Sequence, residues 1–363
     1  MNKKAGIVTF HNALSYGAIL QSYALQQFLF QNNIDNEIID YQCEYMNKHY
    51  KKLIRVVKGM RLKSFVGSLL QLKNKKNSLC LSKEFQNNFL KCSKPVTRNT
   101  LNNISDDYSF FIAGSDQVWS PTCVGFDKTY FLDFAKSEQK YSYAASFGTT
   151  AIPDDKIAEY KVLLSDFQHY SVREQSGAKL VHDITGKNAE VNIDPTLLLT
   201  AKEWDKITVK APINGPYIFL FNVLKPKKMI EYAVKLGKEK NMPVYYLNDK
   251  HLPINGINYL KPASHNEFVS LIKNAEYVVT NSFHGSAFSI IYHKKLIMEL
   301  NTTTKRNIRS EELLKSLNIT NREIGEGLTL DPDAPIDWEY ADKILSEQRN
   351  SARKYLCSIK KDC

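Results

Sequence analysis

The sequence lacks several signatures that would fix its class at once. Its 363 residues hold six cysteines, Cys43, Cys80, Cys92, Cys123, Cys357 and Cys363. None forms a CxxC pair, and no histidine stands at metal-ligand spacing to one. Free thiols are therefore expected, and no metal site is read. There is no GxGxxG and no GxxxxGK[ST], so a dinucleotide fold and a phosphate-loop nucleotidase are both unsupported. No apolar run reaches the length that crosses a bilayer. The strand-like run Ala5 to Phe10, directly behind Met1 to Lys4, is too short for a signal-peptide core. A cytoplasmic location is expected.

What is present is ordinary in bulk and uneven in detail. Hydrophobic residues make up 43% and charged residues 24%, values of a globular protein. The length suggests two domains. The formal charge is +11, yet Lys48, Lys51, Lys52, Arg55, Lys58, Arg61, Lys63, Lys73, Lys75 and Lys76 follow one another without an acid between Met46 and Asn77. That segment supplies nearly all of the excess. The remainder is close to neutral, so no nucleic-acid partner is expected. Leu53, Val56, Val57, Met60, Phe65, Val66, Leu69 and Leu70 recur there at helical spacing. Two readings stay open for residues 48–76: peripheral contact with an anionic membrane at its inner face, or a helix packed on a sheet with a solvated basic face.

Short β-rich runs alternate with helical stretches, which argues for parallel sheets covered by helices. The first series has strands near 6–10, 37–41, 108–113, 141–145 and 169–173. A second begins near Tyr217, with strands near 217–223, 243–247, 276–280 and 295–300. Pro212, Asn214, Gly215 and Pro216 cluster as breakers between them. The expected organisation is an N-terminal α/β domain over residues 1–205, with the basic insertion at 46–77. A C-terminal α/β domain follows over 206–330, and a last helix within 331–363 can pack back on the first.

Open α/β sheets bind ligands beyond the carboxyl ends of their strands, so polar residues there are the candidates. Asn12 and Gly17 follow the first strand, where a helix start can hold an anion. Ser115 and Asp116 end the apolar strand at Ala113; Asp116 can act as a base, bind sugar hydroxyls or cap a turn. Arg173 ends another strand and can grip a phosphate or carboxylate as a fork, or pair with an acid such as Glu174. Asp194 before Pro195 reads best as a structural turn. The sharpest segment is Thr280-Asn281-Ser282-Phe283-His284-Gly285, where His284 can transfer protons and Gly285 opens a helix.

Taken in order, these segments resemble the polysaccharide pyruvyl transferase family. The likeness rests on Thr9-Phe10-His11-Asn12 through Tyr16-Gly17-Ala18, on Gly114-Ser115-Asp116-Gln117-Val118-Trp119, and on Ser171-Val172-Arg173-Glu174. Asp194-Pro195-Thr196, Thr280 to Gly285 and Arg309-Ser310-Glu311-Glu312-Leu313-Leu314 complete it. The resemblance implies two Rossmann-like domains facing across a cleft, similar to B-type glycosyltransferases. It implies phosphoenolpyruvate as donor, with a sugar of a surface polysaccharide or its lipid-linked precursor as acceptor, and no further cofactor. By matched motif, Arg173 is expected to hold the donor anion and His284 to move the proton, with Asp116 on the acceptor. Many members carry Arg two places before the histidine, where this chain has Ser282; Lys305, Arg306 or Arg309 would then supply the cation. Ser282, Gly285 and Ser115 are read as substrate-binding. A nucleotide-sugar glycosyltransferase would instead need an acid for the ribose, with Glu299 or Glu276 the candidates. An inactive polysaccharide-assembly protein is the third reading.

Overall fold

Apolar, β-branched and aromatic runs such as Ala-Gly-Ile-Val and Tyr-Ser-Phe-Phe-Ile-Ala are what strands covered on both faces require. In the computed structural model, which describes residues 4–48, 62–226, 228–248, 253–300, 308–325 and 330–362, they form two parallel sheets in two compact units. Unit 1 comprises Met1–Arg55, Gln86–Leu198 and Ser346–Cys363; unit 2 comprises Val56–Phe85 and Leu199–Leu345.

In unit 1, strands β1 (Lys4–Val8), β2 (Asn36–Ile38), β3 (Tyr108–Ala113) and β4 (Lys140–Ser142) lie in the order β2-β1-β3-β4, all parallel. Strands β5 (Ser171–Val172) and β6 (Glu190–Val191) pair with each other. Parallel bridges from Tyr141 to His169 and from Ala145 to Val172 carry the pairing on from β4, and a bridge from Ile38 to Cys92 extends it past β2. The chain moves outward from β1 to β2 and then returns to place β3 on the other side. The switch point therefore lies between β1 and β3, where such sheets bind ligands. Helix α1 (Tyr16–Gln31) is buried along most of its length, polar residues included. Gln21 and Gln26 are tolerated because each is hydrogen-bonded: Gln21 Nε2 donates to Thr9 Oγ1 at 2.8 Å, and Gln26 brackets the backbone of Lys91.

Helix α2 (Leu62–Phe89) was expected within the first domain as part of the basic insertion. Through Phe85 it groups with unit 2, where Phe85 packs on His265 with ring centroids 5.0 Å apart. Residues 49–61 of the basic run lie outside the described residues. Helices α3 (Asp154–Leu164) and α4 (Gln175–Thr185) cover unit 1, and α4 ends on Gly186 at φ 75°, a left-handed stop that suits glycine.

Unit 2 begins before the expected join. Helix α5 (Ala201–Trp204) opens with a capping box in which Thr200 and Glu203 satisfy each other's amides. Trp204 is fully buried against Phe288, so the segment after Leu198 belongs to this unit rather than to the first. Its sheet orders β7 (Ile218–Phe221), β8 (Val244–Leu247), β9 (Ile257–Leu260), β10 (Tyr277–Thr280) and β11 (Lys295–Met298) as β11-β10-β7-β8-β9, again all parallel. Its switch point falls between β7 and β10. Helices α6 (Met229–Glu239), α7 (His265–Asn274), α8 (Phe283–Ile291) and α9 (Ile308–Ser316) follow in sequence. The last helix, α10 (Trp338–Asp362), gives its residues from Ser346 onward to unit 1. There Tyr355 donates to the carbonyl of Ser142 at 2.7 Å and Arg349 to that of Leu197 at 2.8 Å. Among the described residues, no helix is long and apolar enough to cross a membrane.

Candidate active site

In unit 2, the β-branched run Tyr-Val-Val-Thr carries β10 to the switch point, and Thr280 there is fully buried. Its hydroxyl donates to the carbonyl of Phe221 at 2.7 Å and accepts from the amide of Ser282 at 3.0 Å. Asn281 ties down the loop after β7: Oδ1 accepts from the amides of Val223 and Leu224, and Nδ2 donates to the Leu224 carbonyl. The two loops at the switch point are thus pinned by side chains of one tripeptide.

The next residue, Ser282, is the N-cap of α8, with its Oγ accepting from the Gly285 amide at 3.2 Å. The serine at this position closes a helix start, a task a guanidinium cannot perform. Sequence reasoning opened the helix at Gly285; it opens at Phe283, so His284 stands in the first turn instead of the preceding loop. A Cβ on Gly285 would come within 2.7 Å of Thr280 Oγ1, so only glycine fits so close to the strand end. His284 is 8% exposed, its ring perpendicular to that of Phe283. Arg309 lies with its guanidinium 5.7 Å from the centre of the same Phe283 ring. Of the three cations named to stand in for the missing arginine, it is the one brought beside the histidine turn; Lys305 and Arg306 lie outside the described residues.

The two acids that a nucleotide-sugar reading required are engaged elsewhere. Glu299 accepts from the amides of Lys228 and Met229 at the start of α6. Glu276 is ion-paired with Lys295 at 2.9 Å.

In unit 1, Thr9 Oγ1 donates to the Ser115 carbonyl at 3.0 Å and joins the ends of β1 and β3. A Cβ on Gly114 would lie 2.9 Å from Thr9 Cβ, which accounts for the glycine. Arg173, 3% exposed as a side chain, faces three carboxylates: Asp194 at 2.5 Å, Glu174 at 3.2 Å and Asp116 at 3.9 Å. Burial alone would lower its pKa, but attraction to Glu174, Asp194 and Asp116 outweighs burial and raises it. The fork anticipated for a donor anion is instead the centre of an internal ion cluster, the ion-pair alternative that the sequence left open. Asp194 combines the expected turn, accepting from the amide and hydroxyl of Thr196, with the pairing to Arg173. Ser115 was expected to touch substrate. It is fully buried, and its hydroxyl donates to Asp194 at 3.2 Å, so it supports the cluster from within.

Asp116 is the outermost of the three acids, at 16% exposure against 5% for Glu174 and 0% for Asp194. It sits in the left-handed region at φ 74°, a conformation uncommon outside glycine, and its Oδ1 accepts from the amide of Gln117. Gly17 is buried in the first turn of α1. Asn12 donates to Asp40 Oδ1 at 3.0 Å. Asp40 also faces His11 Nε2 at 3.1 Å, and this acid–imidazole pair was missed in the sequence. The available signal was positional: Asp40 follows β2 by two residues, at the same sheet edge as His11 and Asp116. Among the described residues, no cluster of three or more His, Cys, Asp or Glu side chains could hold a metal ion.

A family model described as polysaccharide pyruvyl transferase matches residues 16–299. The chain belongs to this family. No curated protein matches it significantly. Among solved structures, a Listeria monocytogenes protein assigned as a UDP-N-acetylglucosamine 2-epimerase aligns at TM-score 0.51 and 9% identity, covering 98% of this chain and 91% of the other. At that identity the likeness speaks to the fold alone. The Neisseria meningitidis UDP-GlcNAc 2-epimerase bound to UDP-GlcNAc aligns at 0.49 and 10% identity over 100% of both chains. An E. coli heptosyltransferase with ADP aligns at 0.41 and 9% identity, over 97% and 99%. This pyruvyl transferase family member has an α/β fold of two Rossmann-like units with parallel sheets, a fold it shares with the Listeria protein.

Proposed function

We propose that the protein transfers a pyruvyl group from phosphoenolpyruvate to two hydroxyls of a sugar, in a surface polysaccharide or its lipid-linked precursor, forming a ketal. Beyond family membership, the reading is carried by His284. It stands in the first turn of a helix at the switch point of unit 2, with Arg309 over the ring of the adjacent Phe283. Helix-start amides and a guanidinium suit a small, highly charged anion. An imidazole beside them suits proton transfer near neutral pH.

The steps follow from the donor's chemistry. His284 delivers a proton to the methylene carbon, and the central carbon becomes electrophilic. One sugar hydroxyl adds there and loses its proton to a base. Phosphate leaves, and the second hydroxyl closes the ring, its proton returning to His284. One phosphate is released for each ketal formed, and no oxidant or reductant is needed. Arg309, rather than the carboxylate-bound Arg173, is assigned the donor's negative charge.

Thermal denaturation with phosphoenolpyruvate or with a nucleotide sugar tests the donor. Stabilisation by phosphoenolpyruvate, reduced in Arg309→Met, is expected. Stabilisation by nucleotide sugars alone would transfer the assignment to the glycosyltransferase reading.

A further inference from the structure

Asp40 is joined on one side only. Its Oδ1 accepts from His11 Nε2 at 3.1 Å, Asn12 Nδ2 at 3.0 Å and Gln42 Nε2 at 2.6 Å. Among the described residues no donor reaches Oδ2, and the side chain is 20% exposed. Burial works against the ionised form, but the hydrogen bonds from His11 and Asn12 more than offset it, so the group stays a carboxylate. Its position is fixed further from behind. The Asp40 amide donates to Ser93 Oγ, His11 Nδ1 lies 3.2 Å from the Thr9 carbonyl, and Gln86 donates to the His11 carbonyl. Three donors on one oxygen and a backbone anchor orient the other oxygen outward.

The placement in the sheet gives this a use. Asp40 follows β2, His11 and Asn12 follow β1, and Asp116 follows β3, in a sheet ordered β2-β1-β3. Two strand spacings separate the two acids, roughly 10 Å. Both are partly exposed at the carboxyl edge, and Asn12, which follows the strand between them, donates to Asp40. Counting the ion cluster, this edge carries Asp40, Asp116, Glu174 and Asp194 against Arg173 and the titratable His11. Such a balance repels phosphate and favours neutral hydroxyls, whose O–H groups donate to carboxylate oxygens.

We infer that Asp40 is a sugar-binding residue of unit 1, accepting a hydroxyl of a neutral pyranose through Oδ2, with His11, Asn12 and Gln42 as its positioning residues. The inference deepens the pyruvyl-transfer reading and rests on it for the ligand class. Its test needs no donor, so the two can fail separately.

The probe is a set of methyl glycosides of neutral hexoses, titrated into the full chain and followed by ligand-observed NMR, with glucose 6-phosphate as the charged comparison. The wild type should bind at least one neutral glycoside and bind the phosphorylated sugar more weakly. Asp40→Asn keeps an oxygen for the three donors but loses the charge, and should weaken binding about tenfold. Gln42→Ala and Asn12→Ala loosen the carboxylate without removing it, and each should weaken binding a few-fold. They carry the test if Asp40→Asn does not fold. Wild-type affinity in all folded variants, a wild type that binds no neutral glycoside, or preference for the phosphorylated sugar would overturn the assignment. Phosphate release from phosphoenolpyruvate, assayed separately, reports on the reaction itself.

Discussion

Replacing Arg173 by methionine removes the one guanidinium that the structure sets among Asp194, Glu174 and Asp116. Methionine fills much of the same space, so the effect is chiefly electrostatic. Asp194 and Glu174 are 0% and 5% exposed, and neither can turn to water. Breaking a buried pair and leaving its charge uncompensated costs about 3–5 kcal/mol. For a unit of this size each kcal/mol lowers Tm by about 2–4 °C, so a fall of roughly 6–20 °C is expected.

The pH dependence has a definite sign. Without the cation, burial raises the folded-state pKa of the stranded carboxylates above their unfolded values. Their protonated forms are then tolerated below the unfolded value, near about 4, and stability is lost as pH rises through the folded pKa. The deficit of Arg173→Met should therefore be smaller near about pH 5 than near about pH 7.5. Adding Asp194→Asn should recover part of the loss, because the second change removes the charge that the first one strands. Calorimetry of the three variants at both pH values measures all of this. A deficit below about 1 kcal/mol, or one that does not shrink in acid, would mean that Arg173 is not the centre of a buried cluster and is available to the donor after all.

Four further outcomes follow from the histidine turn and the arginine packed on it. His284→Ala should lower turnover by about 100-fold or more with little change in melting temperature, measured as phosphate release and by circular dichroism; near-normal turnover would remove the proton-transfer role. Gly285→Ala forces a Cβ to within 2.7 Å of Thr280 Oγ1, so about 1–3 kcal/mol of stability should be lost, read from denaturant midpoints. Ser282→Ala deletes the N-cap and should cost about 1 kcal/mol; no measurable loss would show that the cap contributes nothing. Arg309→Met should raise the donor KM more than it lowers kcat, and steady-state kinetics separates the two.

Much of the fold was legible because hydrophobic patterning is local. The run Tyr108–Ala113 and the helix His265–Asn274 have the bounds that their residues imply. Strand β9 was missed for a physical reason: it lies at a sheet edge with a mostly half-buried pattern, so it does not show the apolar run that marks a covered strand. The join was placed a few residues late because breakers mark loops, whereas the units divide where Trp204 finds its packing partner. The site was legible as positions but less so as partners. Strand-end logic located Asp116, Arg173 and His284. That Arg173 turns toward Asp194, 21 residues on, depends on β5 and β6 lying side by side. Asp40 went unnoticed because its significance arises only when β2 and β1 are neighbours.

The central claim, that this family member makes a pyruvate ketal, is tested most directly by mass spectrometry of sugar and lipid-linked sugar acceptors after incubation with phosphoenolpyruvate. The account predicts an acceptor heavier by one pyruvic acid less one water, with one phosphate released per product and neither formed by His284→Ala. A transferred glycosyl mass from a nucleotide sugar, with phosphoenolpyruvate left intact, would contradict it.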